Sequence, residues 1–280
     1  MSSTNPLMNY FRQPAIYTRL PSDGEFWPPG SLEMTENHEL PVYPMTARDE
    51  ISYRTPDALF NGSAVVEVVQ SCVPSVKNAW MMPGIDIDSI MIAIRIATFG
   101  HDMPIGSRCP ACGNEDDYTT DLRMVAETIS AGDYRRTLKI GDLELYFRPL
   151  NYKQVNANSL AQFEQQKMMA NVDAAADASQ ELKTRTMSEA LKNLTDVTMR
   201  ALANSINIIR TPASLVNDPQ QIEEWVNNCD RKTFAKVRDF VIDLRKQSEI
   251  KPLQIKCHNC GHQYEQPFTL DMTSFFEDAS

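Results

Sequence analysis

Apolar positions recur at helical spacing through most of the chain, broken by short alternating stretches that predict strands. In "TPDALFNGSAVVEVVQSCVP" the spacing puts Leu59, Val66 and Val69 on one face. Thr55 stands there as N-cap, Pro56 at the first helical position and Pro74 past the end. "IDIDSIMIAIRIATFG" is apolar nearly all round apart from Asp86, Asp88 and Arg95, which predicts a helix in the middle of a core, with Arg95 in need of a partner. "LKIGDLELYFRPL" alternates and predicts a hairpin bent at Gly141-Asp142. From about 153 to 209 there is no Pro or Gly, and Met187, Leu191, Leu194, Ala201 and Ile208 keep near-helical spacing. This predicts a long helical hairpin turning near Asp173–Asp177, its apolar positions serving packing rather than a cofactor. A short helix starts at Asp218-Pro219, and a further one carries Phe234, Val237, Val241 and Leu244 on one stripe.

The first 44 residues break this rhythm with seven prolines among Tyr10, Phe11, Tyr17, Phe26 and Trp27. Proline at that density excludes helix and central strand. Disordered tails are poor in aromatics, so residues 1–38 read as an extended arm whose rings dock on their own body or on a neighbouring subunit. The remaining 39–280 read as one helical body.

Cysteine adds the chemistry. Four of six cysteines form two C-x-x-C-G turns, "CPACG" at Cys109–Gly113 and "CHNCG" at Cys257–Gly261, with Arg108 or Lys256 directly before each. Two thiols three apart on a tight turn converge on one point, and the following Gly permits the positive φ that turns backbone N–H groups toward the sulfurs. Each turn is half a tetrahedron. Together Cys109, Cys112, Cys257 and Cys260 complete a zinc ribbon with no position left for water, a structural site. Two separate sites are the alternative, because His258 and His262 flank the second turn; a thioredoxin-like redox pair is disfavoured, since neither turn opens a helix in a βαβ context. Leu and Met recur at matching places after both turns, which predicts a strand following each. The order of extended segment, helices, knuckle and closing strand repeats coarsely, so 39–132 and 133–280 read as related halves meeting at the ribbon. Cys72 and Cys229 fall in helical patterns and read as small core residues.

Composition and charge narrow the function classes. The chain has 280 residues, 42% hydrophobic and 23% charged, and no apolar run long enough for a membrane span. The start "MSSTNPLMNY" lacks the basic and apolar regions of a secretory signal, which predicts a reducing compartment. A net charge of −10 repels phosphate backbones and favours protein partners over nucleic acid. No nucleophile elbow, zinc-protease, P-loop or dinucleotide fingerprint occurs. Asp86 with Asp88, and Glu115 through Asp117, could be called paired carboxylates, but their places at a helix start and in a turn predict capping and solvation instead of acid–base catalysis.

The sequence of "ELPVYPMTARDE", the apolar helix "DSIMIAIRIATFG", "CPACGNEDDYTTDL", a hairpin ending "YFRPL", further helices and a terminal C-x-x-C followed by "FF" resembles the baseplate hub proteins of contractile-tailed bacteriophages of the T-even type, over roughly residues 39–276. The resemblance implies a non-enzymatic virion part, assembled in the host cytoplasm, that builds the central hub or initiates the tail tube beside other hub, wedge or tube proteins. The expected fold is α+β, mainly helical, with short β-hairpins and a four-cysteine zinc ribbon. Two other classes stay open: an assembly chaperone, for example of the tape-measure protein, absent from finished particles, and a zinc-ribbon nucleic-acid binder, which would need a basic groove.

Overall fold

A computed structural model describes residues 6–55, 61–174, 179–270 and 275–276. The chain forms two compact units, Met1–Ser130 with Glu249–Ser280 and Ala131–Ser248, so the second interrupts the first in sequence. Unit 1 begins with β1 (Ile16–Thr18) and β2 (Leu40–Val42). Helices α1 (Ala47–Tyr53), α2 (Ser63–Cys72) and α3 (Gly84–Phe99) follow, then the hairpin of β3 (Asp102–Arg108) and β4 (Glu115–Asp121), and α4 (Leu122–Thr128). Unit 2 runs through β5 (Leu138–Ile140), β6 (Leu143–Phe147), α5 (Tyr152–Ala174), α6 (Gln180–Ser205), β7 (Ile206–Arg210), β8 (Leu215–Val216), α7 (Pro219–Asn228) and α8 (Arg231–Ser248). The chain re-enters unit 1 as the hairpin of β9 (Leu253–Lys256) and β10 (Gln263–Gln266). The fold is mixed α and β, mainly helical with short antiparallel sheets.

Unit 1 is built on α3, whose Ile90, Met91, Ile92 and Ile94 are fully buried, with α2, β1 and β2 against it. Arg95, also buried, donates to the Phe275 carbonyl and lies over the rings of Phe99 and Phe275, so the cation of this apolar helix is met inside the core. Asp86 departs from its expected capping role. It is completely buried and accepts from the Ser22 N–H (2.9 Å), the Ser22 hydroxyl (2.5 Å) and the Trp27 indole N–H (2.8 Å). Once buried, a carboxylate needs donors, and the proline-rich segment supplies three.

That segment lies within unit 1. β1 pairs antiparallel with β2, Leu20 and Trp27 are buried, and the Arg12 guanidinium reaches Asp49 (3.3 Å), the Ser71 carbonyl (2.7 Å) and the Ser71 hydroxyl (2.8 Å). Asp49 also closes a reciprocal cap with Thr46, which starts α1 inside a stretch read from sequence as extended. The helix expected from Thr55 to Val73 does not run unbroken in the structure. The Thr55 hydroxyl bonds back to the Ile51 carbonyl, Gly62 sits at φ +78°, and α2 begins at Ser63; Pro56 and Leu59 lie outside the described residues.

In unit 2 the antiparallel order is β5-β6-β7-β8, and the hairpin bends at Gly141 with φ +58° as expected. Leu145, Phe147, Ile206 and Ile209 from the sheet meet Leu202, Ile222, Val226, Val237 and Leu244 from the helices in one core. The long helix stops earlier than its apolar spacing suggests. Arg148 donates its backbone N–H to Ser205 and its side chain to Asn204, capturing carbonyls of the last turn, and the β-branched run from Ile206 pairs with β6. Ile208 is therefore a strand residue. The helical hairpin forms as α5 and α6, with most of its turn outside the described residues. At the base of the unit, Gly132 at φ +71° lies so close to α8 that a Cβ would stand 2.8 Å from Ser248 Oγ and 2.9 Å from the Leu244 carbonyl, and Ser248 donates to the Ala131 carbonyl.

Candidate metal centre

Both C-x-x-C-G turns sit at the bends of two-stranded hairpins and share one backbone pattern. Gly113 N–H bonds to the Cys109 carbonyl and Cys109 N–H to the Asn114 carbonyl; Gly261 and Cys257 repeat this with Cys257 and His262, every bond 2.9 Å long. The two glycines have φ +73° and +71°. A side chain there would cost strain, which is why the motif carries Gly after its second Cys. Arg108 and Lys256 lie over the respective glycines.

The hairpins bring all four sulfurs within 4.8 Å of one another, with Cys109 to Cys260 and Cys112 to Cys257 each 3.7 Å apart. A tetrahedral ion with metal–sulfur bonds of about 2.3 Å requires sulfur–sulfur edges of about 3.8 Å. The cluster fits that requirement, and four soft thiolates suit zinc or iron rather than magnesium or calcium. The two turns contribute to one cluster rather than two: His258 is engaged elsewhere, with its Nδ1 2.8 Å from Asp116 and its ring on Tyr118, and His262 stacks on Tyr264. Cys109 and Cys257 are buried, whereas Cys112 and Cys260 are exposed.

Electrostatics separate the thiols. The Asn114 backbone N–H, and then the Cys260 thiol, hold the Cys112 pKa down at about 6, and backbone N–H groups of Cys260 and Asn259 lower that of Cys257. The His262 N–H favours the Cys260 thiolate too, but the sulfurs of Cys112, Cys257 and Cys109 outweigh it and push Cys260 up to about 12. Four thiolates so close repel, and a cation at their centre offsets the repulsion.

Sequence reasoning missed the contacts that join the hairpins beyond the sulfurs. Asp116, read as part of a solvated turn, lies on β4 and holds His258; Ser107 of β3 bonds to Tyr264 (2.8 Å) and Gln266 (2.9 Å) of β10. Only pairing across the site reveals these partners. Of the arm residues read as docking groups, Tyr10 (84%), Tyr17 (63%) and Phe11 (54%) are exposed, Phe26 is half-buried and Trp27 is buried on Asp86. Cys72 is fully buried as expected, and Cys229 half-buried.

A family model described as T4 bacteriophage base plate protein matches residues 31–277. Comparison with curated proteins and with solved structures gave no match.

Proposed function

Because the chain belongs to the T4 bacteriophage base plate protein family, we propose that it is a non-enzymatic structural subunit of a contractile-tail baseplate that builds the central hub or initiates the tail tube. The observation that carries this reading is the extent of the match, which spans the helical body, the inserted unit and both cysteine hairpins. The four-cysteine cluster supports a structural part: with zinc bound, all four positions are filled by protein and none is left for a substrate or water. Zinc is proposed over iron because it needs no redox partner to serve as a fixed cross-link. The partners are other hub, wedge or tube proteins, and the exposed Tyr10, Phe11 and Tyr17 offer large rings with few torsions to a neighbouring subunit. The place of action is the virion tail after assembly in the host cytoplasm.

Quantitative mass spectrometry of purified particles tests the reading, together with electron microscopy of lysates from a phage lacking the protein. A hub subunit is present at fixed copy number in the particle, and its loss leaves no baseplates. A protein required for tails yet missing from particles would instead be an assembly chaperone. Elemental analysis of the purified protein is expected to find one zinc per chain.

A further inference from the structure

We propose that the cysteine cluster is also an oxidation site, at which a peroxide converts the metal-holding thiolates into two disulfides across the knuckles, Cys109–Cys260 and Cys112–Cys257. This extends the zinc reading, but the thiol geometry on which it stands exists without the ion.

The pairing follows from distance and exposure together. The two 3.7 Å sulfur contacts both run between knuckles. Each joins one exposed cysteine to one buried cysteine, Cys260 to Cys109 and Cys112 to Cys257. This is the arrangement a peroxide-reactive pair requires: the accessible sulfur meets the oxidant and the protected one resolves the product. A disulfide needs about 2.05 Å between sulfurs, so each must move by less than about 1 Å. The hairpins hold the register meanwhile, through Asp116 with His258 and Ser107 with Tyr264 and Gln266.

The chemistry balances. Hydrogen peroxide takes the exposed thiolate to a sulfenic acid with loss of hydroxide; the buried thiolate then attacks that sulfur and expels a second hydroxide. Two peroxides oxidise four thiolates by four electrons and release the zinc ion with four hydroxides. Both states clamp the same two hairpins, the first by metal in a reducing cytoplasm and the second by covalent bonds. A particle leaving its host crosses between those two conditions, since disulfides persist on virion surfaces and thiols persist in cytosol.

The test uses the full-length, zinc-loaded protein with two equivalents of hydrogen peroxide, a chromophoric chelator to follow zinc, and non-reducing peptide mapping. Trypsin cuts after Arg108, Arg123 and Lys256, so each knuckle stays on one peptide, 109–123 or 257–280. Disulfides across the knuckles join these two peptides, and fragmentation of the joined species between Cys109 and Cys112 and between Cys257 and Cys260 reads which cysteine is linked to which; disulfides within a knuckle leave the peptides separate, each two hydrogens lighter. The expected result is one zinc released per two peroxides, a single joined species, and restoration by dithiothreitol with zinc. Cys112→Ser should retain only Cys109–Cys260, and Cys260→Ser only Cys112–Cys257. Separate peptides, over-oxidation to sulfinic acid, or disulfides between chains would overturn the proposal. If the protein as isolated holds no zinc, the zinc reading fails by itself, and mapping of that protein still decides the pairing.

Discussion

The buried carboxylate of Asp86 offers the sharpest test of how the proline-rich segment is fixed. Replacing it with Ala removes the acceptor for the Ser22 N–H, the Ser22 hydroxyl and the Trp27 indole N–H, at 2.9, 2.5 and 2.8 Å. The hydroxyl can rotate to another acceptor, but the two N–H donors belong to residues only 4% and 8% exposed and are left without one. Each stranded donor costs about 1–3 kcal/mol. Burial pushes the Asp86 pKa upward, against the three donors, so removing the charge returns part of the loss. A net destabilisation of about 2–4 kcal/mol is expected. Trp27→Phe strands no donor and should cost about 1–2 kcal/mol. Because both changes break the same bond, the double variant should fall short of their sum by about 1 kcal/mol. Urea unfolding of the metal-loaded chain by circular dichroism gives the energies, and hydrogen exchange in peptides from α3 assigns the loss to unit 1. Strict additivity, or an Asp86→Ala cost under about 1 kcal/mol, would show that the segment is held by other contacts.

Four further outcomes are expected. Cys109→Ser and Cys257→Ser should abolish zinc retention and lower the melting temperature by similar amounts, checked by calorimetry with elemental analysis; unequal effects would deny a shared ion. Burial raises the Asp88 pKa from 3.8 to about 6, so the folded chain holds that proton more firmly than the unfolded one, and the associated stability, complete below about 3.8, is lost as pH climbs through 6. Asp88→Asn should flatten that decline and raise the melting temperature at pH 7, read from melts across pH 3–8. Gly132→Ala should destabilise unit 2 by about 1–3 kcal/mol in urea titrations, because a Cβ meets the Leu244 carbonyl at 2.9 Å in a left-handed conformation. Removing residues 1–11, which takes away the exposed Tyr10 and Phe11 but keeps Arg12 and Trp27, should leave the melting temperature unchanged and block uptake into particles in a complementation assay.

What sequence made legible was whatever a few neighbouring residues decide. The knuckles, the Gly141 bend, the all-apolar α3 and the Asp218-Pro219 start follow from spacing or one conformational demand, and each stands where its residues put it. The helix starts at Thr46 and Asn151 were equally local: Thr46 with Asp49 and Asn151 with Gln154 each exchange hydrogen bonds in a reciprocal cap. The Asn151 cap opens the helix expected from about residue 153, whereas the signal at Thr46 was masked by Pro44 just upstream, in a stretch read as extended. The end of α6 was not local. Apolar spacing continues through Ile208, and only Arg148, far back in sequence, claims the last carbonyls and lets β6 take the next residues as a strand. Asp86 failed for a related reason, since a carboxylate near a helix start reads as a cap until its donors from elsewhere in the chain are known.

The doubled turn has a topological explanation. Unit 1 is interrupted after Ser130 and resumes at Glu249, so its second knuckle arrives only when a complete second unit has been made. An insertion of that kind is tolerated when its own ends lie together, and in unit 2 they do, with Ala131 and Gly132 against Leu244 and Ser248. Unit 1 faces the complementary problem of closing a hairpin onto one far upstream in the chain. Loop-closure entropy grows only slowly with length, but it must be offset at one place, and two short two-stranded hairpins bury too little to do so. Four cysteines converging on one point would supply that stabilisation there once they hold the proposed ion. The two C-x-x-C-G turns are thus two halves of a clasp, one in each of the two stretches of unit 1 that the insertion separates. On this argument a chain in which unit 2 is replaced by a short linker should need the metal less, because the closure it secures would already be local.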